Sequence, residues 1–289
     1  MSEMPQPAPN RWRVLALWLA GIALVGTAGV LLAPSPTTPD TARGADPVEL
    51  GVELSAPVVA ARAVPTLSGL PEASTFGTIP GAPQDAMTDE VPDGQLVHPT
   101  EPVPVFDQPG GTAIAVLPIT QLGSDMWVPV IEEEPGWVQV LLPSRPNGST
   151  GWLSTQDNTL DSRSTTDQIV IDRAAFRLTL YRDHQQIGTW SVGVGMPAAP
   201  TPTGRTFVLA SMTDAKQKFS PVIFPLGIHS ATFTTYGGGP GTTGIHGWPT
   251  TDVFGRPSSD GCIRVPADAL ATFTNPADPV PIGTPVLIR

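Results

Sequence analysis

Residues Gly244-Ile245-His246-Gly247, followed by Ser258-Ser259-Asp260-Gly261-Cys262-Ile263-Arg264, place a histidine and a cysteine in one short stretch, each between an isoleucine and a glycine. Cys262 is the one cysteine in 289 residues. It has no intrachain disulfide partner, so it serves packing or chemistry. A thiol attacks carbonyls as the thiolate and needs a base or a depressed pKa. An imidazole takes such a proton near neutral pH. Gly247 and Gly261 leave backbone amides open to bind an oxyanion. The plainer alternative is a buried cysteine with an unrelated loop histidine.

Outward from that stretch the chain alternates. Gln168-Ile169-Val170-Ile171-Asp172 and Phe176-Arg177-Leu178-Thr179-Leu180-Tyr181 read as a hairpin. A turn at 182–185 leads into Ile187-Gly188-Thr189-Trp190-Ser191-Val192-Gly193-Val194. Pro200-Thr201-Pro202-Thr203-Gly204-Arg205 breaks the pattern, and Thr206-Phe207-Val208-Leu209-Ala210 resumes it. Period-two apolarity of this kind predicts an antiparallel sheet. Pro202 and Gly204 are turn formers.

These motifs, in this order, resemble the L,D-transpeptidases of bacterial peptidoglycan. The resemblance rests on the Ile-His-Gly stretch and on the box Ser259-Asp260-Gly261-Cys262-Ile263-Arg264. The Val-Gly-Val-Gly strand, Thr-Pro-Thr-Gly and the closing Pro281-Ile282-Gly283-Thr284-Pro285-Val286-Leu287-Ile288 add to it. It covers residues 167–289 and implies a mainly β, β-sandwich-like catalytic domain. By resemblance, Cys262 is the nucleophile, His246 the general base, and the amides of Gly261 and Cys262 the oxyanion donors. Arg264 and Gly247 are then expected to bind substrate, Arg264 through the planar fork that suits a carboxylate. Its alternative is a surface salt bridge. Ser259 either bonds to substrate or closes the turn. His229 either lines the site or is a structural histidine.

The family's usual second histidine is replaced by Asp260. A carboxylate about 6 Å from a thiolate, at an effective ε of about 20, repels it by about 3 kcal/mol before screening. Pairing of Asp260 with His246 as imidazolium, or with Arg264, offsets this. No cofactor is expected. His229, His246, Asp260 and Cys262 show none of the familiar zinc spacings, so no metal is expected either.

The rest of the chain divides by composition. Residues 1–13 form a short polar amino terminus, with Arg11 and Arg13 ahead of the apolar run. Residues 14–33 carry no charge and are long enough to cross a bilayer as a helix. The arginines before them place the amino terminus in the cytoplasm and the remainder outside. A cleaved signal peptide is the alternative, although its apolar region is usually shorter, about 7–15 residues. Residues 34–95, rich in Pro, Ala and Thr, read as a disordered linker. Residues 96–157 carry five short apolar runs between turn residues, and resemble a small Src-homology-3-like β-barrel. Trp127, Trp137 and Trp152 there serve the barrel core or stack on a ligand.

The net charge of −11 argues against nucleic acid as a partner, because a basic face is its expected footprint. Charged residues make up 14 %, with 35 prolines and 29 glycines, which favours turn-rich β-structure over a helical bundle. The family resemblance implies peptidoglycan stem peptides as partners and 3→3 cross-linking as the reaction. Transfer to water would make an L,D-carboxypeptidase, and transfer to a protein lysine a protein–wall linkage. A non-catalytic wall-binding protein, with Asp260 marking lost activity, is the rival from another class.

Overall fold

Short apolar runs between glycine and proline turns make most of the amino-terminal strands. They are β1 (Gln95–Pro99), β2 (Val103–Phe106), β3 (Ala113–Leu117), β4 (Thr120–Gln121), β5 (Ser124–Asp125), β6 (Val128–Glu134), β7 (Trp137–Leu141), β8 (Thr150–Ser154) and β9 (Leu160–Ser164). The computed structural model describes residues 66–214, 217–236 and 239–289. Seven of these strands form one sheet in the order β3-β2-β8-β7-β6-β1-β9, and β4 pairs with β5. β9 lies beyond the five apolar runs that the sequence shows over residues 96–157. Its Leu-Asp-Ser-Arg-Ser sequence has little apolar signal, yet it pairs with β1 from Gln95↔Ser164 to Pro99↔Leu160. A charged, mostly exposed edge strand is a poor template for further pairing. Trp137 and Trp152 are core residues, packed with Phe106.

The linker expected over residues 34–95 is overturned for its described part. Residues 66–94 pack along the sheet. The Ala73 amide donates to Val116 O at 2.7 Å and the Val116 amide to Pro71 O at 2.9 Å, which covers the β3 edge. Ile79 donates to Arg145 O at 2.9 Å, and Arg145 donates to Gly77 O at 3.0 Å. Ala73 and Ile79 are fully buried in the same core as Val105, Leu117 and Val140. The segment shows no period because its backbone bonds go singly to other segments and only a few small apolar side chains are inserted. Residues 1–13 and the apolar run 14–33 lie outside the described residues. Among the described residues, no helix is long and apolar enough to cross a membrane.

The carboxyl-terminal part contains β10 (Gln168–Asp172), β11 (Arg177–Arg182), β12 (Gln185–Ser191), β13 (Gly193–Gly195), β14 (Gly204–Phe207), β15 (Ile223–His229), β16 (Thr242–Gly247), β17 (Arg256–Ser259), β18 (Ile263–Val265), the short helix α1 (Ala267–Phe273) and β19 (Pro285–Ile288). Two five-stranded sheets result, β12-β11-β10-β19-β14 and β15-β16-β18-β13-β17. The hairpin of β10 and β11 forms as predicted, with Ile169 opposite Leu180 and Ile171 opposite Leu178. These side chains share one core with Phe224, Ile245 and Ile263 of the second sheet and with Leu270 and Phe273 of α1. Fully burying a side chain of this size contributes about 1.5–3 kcal/mol.

Both sheets are mixed, which corrects the antiparallel expectation. β10 runs parallel to β19, β16 to β18, and β13 to β17. Alternation along a strand reports which face is buried, not the direction of a partner from a distant part of the chain. β19 is buried at all four positions because it lies between β10 and β14. Phe207 and Leu209 insert into the amino-terminal core, so the two parts share packed side chains.

Candidate active site

Two parallel neighbours, β16 and β18, build the site. Their register sets Ile245 beside Ile263 and His246 beside Arg264. Both isoleucines are fully buried in the core. Because side chains alternate, His246 and Arg264 take the other face of the sheet; Cys262 lies in the bend just before β18. The Gly244 amide is directed at the Cys262 sulfur and favours its charged form. That bond ties Cys262 to β16, the strand that also carries His246.

His246 Nδ1 lies 2.8 Å from the Gly247 carbonyl. A carbonyl only accepts, so Nδ1 carries the proton and Nε2 keeps a free lone pair. The ring packs against Phe219, with centroids 4.9 Å apart, and near Trp248. Burial pushes its pKa down to about 4; the Gly247 carbonyl opposes this and Arg264 adds to it. The Gly247 amide is held by Ser220 Oγ at 2.8 Å. Gly247 thus fixes the histidine through its carbonyl, with its own amide already engaged.

The turn before β18 is tightly bonded. Ser259 Oγ donates to Cys262 O at 2.5 Å and accepts from the Gly261 amide at 3.2 Å. Of the two roles considered for Ser259, turn closure is the one this geometry serves. The expected oxyanion role of the Gly261 amide is corrected, since that donor is already taken by Ser259. Gly261 itself has φ +122°, and a Cβ there would come within 3.1 Å of Tyr236 Oη. Thr201, from the Pro-Thr-Pro-Thr-Gly motif, accepts from the Gly195 amide and donates to Gly261 O, both at 2.8 Å. That motif therefore braces the cysteine turn from below.

Burial raises the Cys262 thiol above its ordinary pKa; the Gly244 amide and Arg264 oppose this, and Asp260 adds to the rise. The residue keeps intermediate exposure. Arg264 stacks its guanidinium over Trp248, 3.6 Å from the ring centroid, and donates to Ser258 O. Asp260 is exposed and joins no ion pair among the described residues. Its field acts on Arg264 and Cys262 and does not figure among the influences on His246. Of the two pairings considered for Asp260, neither forms as an ion pair among the described residues; Arg264 is the cation within reach of its field. Tyr236, which the sequence reading does not single out, donates its hydroxyl to Asp260 O. Its phenol is raised by burial against a hydrogen bond from Ser230, with Cys262 and Asp260 as nearby charges.

His229 does not line this site. It is fully buried on β15. Its Nε2 sits 2.8 Å from Thr75 O and 2.9 Å from Thr75 Oγ1, in the amino-terminal segment. Of the two roles considered for His229, substrate contact is set aside and the structural one is served: it joins the two halves of the protein. Burial lowers its pKa to about 4 as well; the Thr75 carbonyl opposes this and Arg145 adds to it. Unfolded, both imidazoles bind protons near pH 6.5; folded, only near 4. Between those values the unfolded chain holds more protons, so stability present above pH 6.5 is lost as pH falls toward 4. The expected loss is roughly 3 kcal/mol per histidine. Urea unfolding at pH 7 and pH 4 measures it, and His229→Gln removes the His229 share.

Among the described residues, no three His, Cys, Asp or Glu side chains converge so as to hold a metal ion.

Residues 166–288 match the family model of YkuD, the L,D-transpeptidase catalytic domain. Among solved structures, an L,D-transpeptidase from Mycobacterium smegmatis is similar at 16 % identity, over 56 % of this chain and 99 % of its own, with a TM-score of 0.37. One from Mycobacterium tuberculosis is similar at 16 % identity over 70 % and 97 %, with a TM-score of 0.37. The catalytic domain of the Enterococcus faecium L,D-transpeptidase is similar at 21 % identity over 43 % and 96 %, with a TM-score of 0.34. No curated relative matches the chain.

Proposed function

We propose, from an L,D-transpeptidase catalytic domain at residues 166–288, that this chain cross-links peptidoglycan stem peptides through a cysteine acyl-enzyme. The observation that carries the reading is the pairing of β16 with β18. His246 lies on β16 two positions after Gly244, whose amide is directed at the Cys262 sulfur, and its Nδ1 is spent on Gly247, which supports pairing Cys262 with Nε2 of His246. Cys262 Sγ attacks the carbonyl of the third residue of a tetrapeptide stem, and its proton passes to Nε2 of His246. That proton then goes to the departing amine of the terminal D-alanine, leaving a thioester. The side-chain amine of a second stem attacks the thioester, the C–S bond breaks, and a 3→3 link forms. The thiol regains its proton. Arg264, braced on Trp248, is placed to hold a stem carboxylate. No cofactor takes part.

The apolar run at residues 14–33 serves in this reading as a single-pass anchor, with the catalytic part on the outer side of the membrane. Residues 96–157 serve in this reading as a Src-homology-3-like module that faces the wall.

Intact-mass measurement after exposure to a carbapenem tests the assignment, together with analysis of the stem dimers formed from purified tetrapeptide stems. A Cys262 adduct and 3→3 dimers are expected. One observation favours the rival reading, a non-catalytic wall binder: burial and Asp260 both keep the thiol protonated. Wall binding without an adduct would establish it. Trimmed stems without dimers would identify an L,D-carboxypeptidase.

Asp260 supplies a further check. The raised thiol makes turnover climb with pH through neutrality. Asp260→Asn removes a charge that opposes the thiolate, so the rising limb moves to lower pH and the rate at pH 7 increases several-fold. A pH–rate profile superimposable on the parent would exclude Asp260 from tuning the sulfur.

A further inference from the structure

The connection between β15 and β16 carries Tyr236 to the cysteine turn, and the amino-terminal half of the protein holds it at both ends. On the entering side, Asn147 bonds reciprocally to the His229 backbone: its Oδ1 accepts from the amide at 2.9 Å and its Nδ2 donates to the carbonyl at 2.7 Å. Arg145 donates to Ser230 O at 3.4 Å. On the leaving side, the same guanidinium donates to Pro240 O at 3.0 Å. Thr75 Oγ1 lies 2.5 Å from Thr242 Oγ1.

The neck between the two sides is narrow. The Ser230 amide donates to Gly241 O at 2.9 Å. Gly241 has φ +76°, and a Cβ there would fall 2.3 Å from Phe233 O and 3.0 Å from the Arg145 guanidinium. Ser230 Oγ then accepts from the amides of Thr232 and Phe233, which shapes the chain toward Tyr236. Phe233 packs on the Tyr236 ring, with centroids 5.4 Å apart.

Arg145 itself is fixed from behind. Its backbone is paired with Gly77 and Ile79 of the segment along the sheet. One guanidinium thus spans two carbonyls on opposite sides of the neck, from a support that belongs to another core.

We propose that Arg145 is a positioning residue for the acyl-transfer site: the amino-terminal half, through this side chain, sets the place of Tyr236 over the Cys262 turn. The proposal rests on the functional reading above for its substrate, but the mechanical link stands on the hydrogen bonds alone. Two donors from one planar group fix both carbonyls in a set relation, which a single ammonium or amide does not reproduce. Losing them releases the neck, and the Tyr236 hydroxyl leaves Asp260 O. The turn beside the sulfur then loosens and admits water, while the aligned geometry for attack is lost. Misplacement of about 1 Å from a remote change costs up to about 100-fold in rate.

The full chain is prepared as parent, Arg145→Ala, Tyr236→Phe and the double variant. Three quantities are measured: carbapenem acylation of Cys262 by intact mass, alkylation of Cys262 by iodoacetamide from pH 7 to 9, and thermal unfolding. Acylation is expected to slow about 10- to 100-fold in each single variant. The double variant is expected to be no slower than the slower single one, because both changes break the same link. Iodoacetamide, which needs no aligned pocket, is expected to react faster in Arg145→Ala. Arg145→Lys, which keeps a donor for one carbonyl, is expected to fall between, and it replaces Arg145→Ala should that variant unfold. Multiplying losses in the double variant, or acylation and alkylation within about two-fold of the parent in Arg145→Ala, overturn the proposal. A parent that takes no carbapenem adduct defeats the functional reading, while the alkylation rates still decide whether Arg145 governs the cysteine turn.

Discussion

Cys262→Ser is expected to lower stem-peptide cross-linking by at least about 1000-fold while leaving the fold unchanged. Serine is close to isosteric, so the Ser259 bond to the carbonyl at 262 and the Thr201 bond to Gly261 O survive the change. What is lost, on the proposed reading, is the soft sulfur nucleophile. A hydroxyl at this position holds its proton far more tightly than a thiol, and His246 is a weak base here, with burial holding its pKa down to about 4. Carbapenem adducts followed by intact mass should vanish in the same variant. Cross-linking that persists in Cys262→Ser would remove the sulfur from the reaction and with it the acyl-enzyme account.

The second large effect concerns stability. Asp85→Ala is expected to destabilise the protein by about 3–5 kcal/mol. Asp85 and Arg205 form a two-pronged pair, Oδ2 to Nε at 2.7 Å and Oδ1 to the terminal nitrogen at 2.5 Å, with side chains only 2 % and 6 % exposed. Removing the carboxylate leaves a guanidinium buried without its counter-charge. The pair joins the amino-terminal segment to β14, so its loss also loosens the junction that Phe207 and Leu209 fill. Urea unfolding of the parent, Asp85→Ala and the double variant Asp85→Leu with Arg205→Met measures this. The double variant should recover much of the loss, because apolar groups of similar volume carry no desolvation cost. A loss under about 1 kcal/mol in Asp85→Ala would mean that water reaches the pair.

The junction was the least legible part of the sequence. Nothing in residues 66–94 signals order. Their apolar side chains are few, and each backbone bond goes to a partner far along the chain, such as Ala73 to Val116 or Ile79 to Arg145. His229 stays undecided from sequence for the same reason. A histidine on the strand next to β16 can serve the site or the fold until Thr75, more than 150 positions earlier, is found against its Nε2. Tyr236 carried no local signal either, since its closeness to Asp260 and Cys262 comes from the connection after β15 folding back over the turn. Thr201 was visible as part of a turn motif, but its bond to Gly261 O depends on two loops meeting.

Local chemistry alone determined much of this protein. The alternation at Ile169, Ile171, Leu178 and Leu180 dictates a hairpin with one buried face. Glycines at 247 and 261 beside a histidine and a lone cysteine form a short motif that, by resemblance, marks a candidate nucleophile and base. These are properties of neighbours, and period two or a short spacing expresses them fully. Tertiary structure alone decided the parallel pairing of β16 with β18, the loss of the Gly261 amide to Ser259, the use of His229 as a strut and the grip of Arg145 on the chain that bears Tyr236. Each of these depends on groups far apart in sequence competing for the same hydrogen-bond partners or the same buried space, and that competition is resolved only when the whole chain has packed.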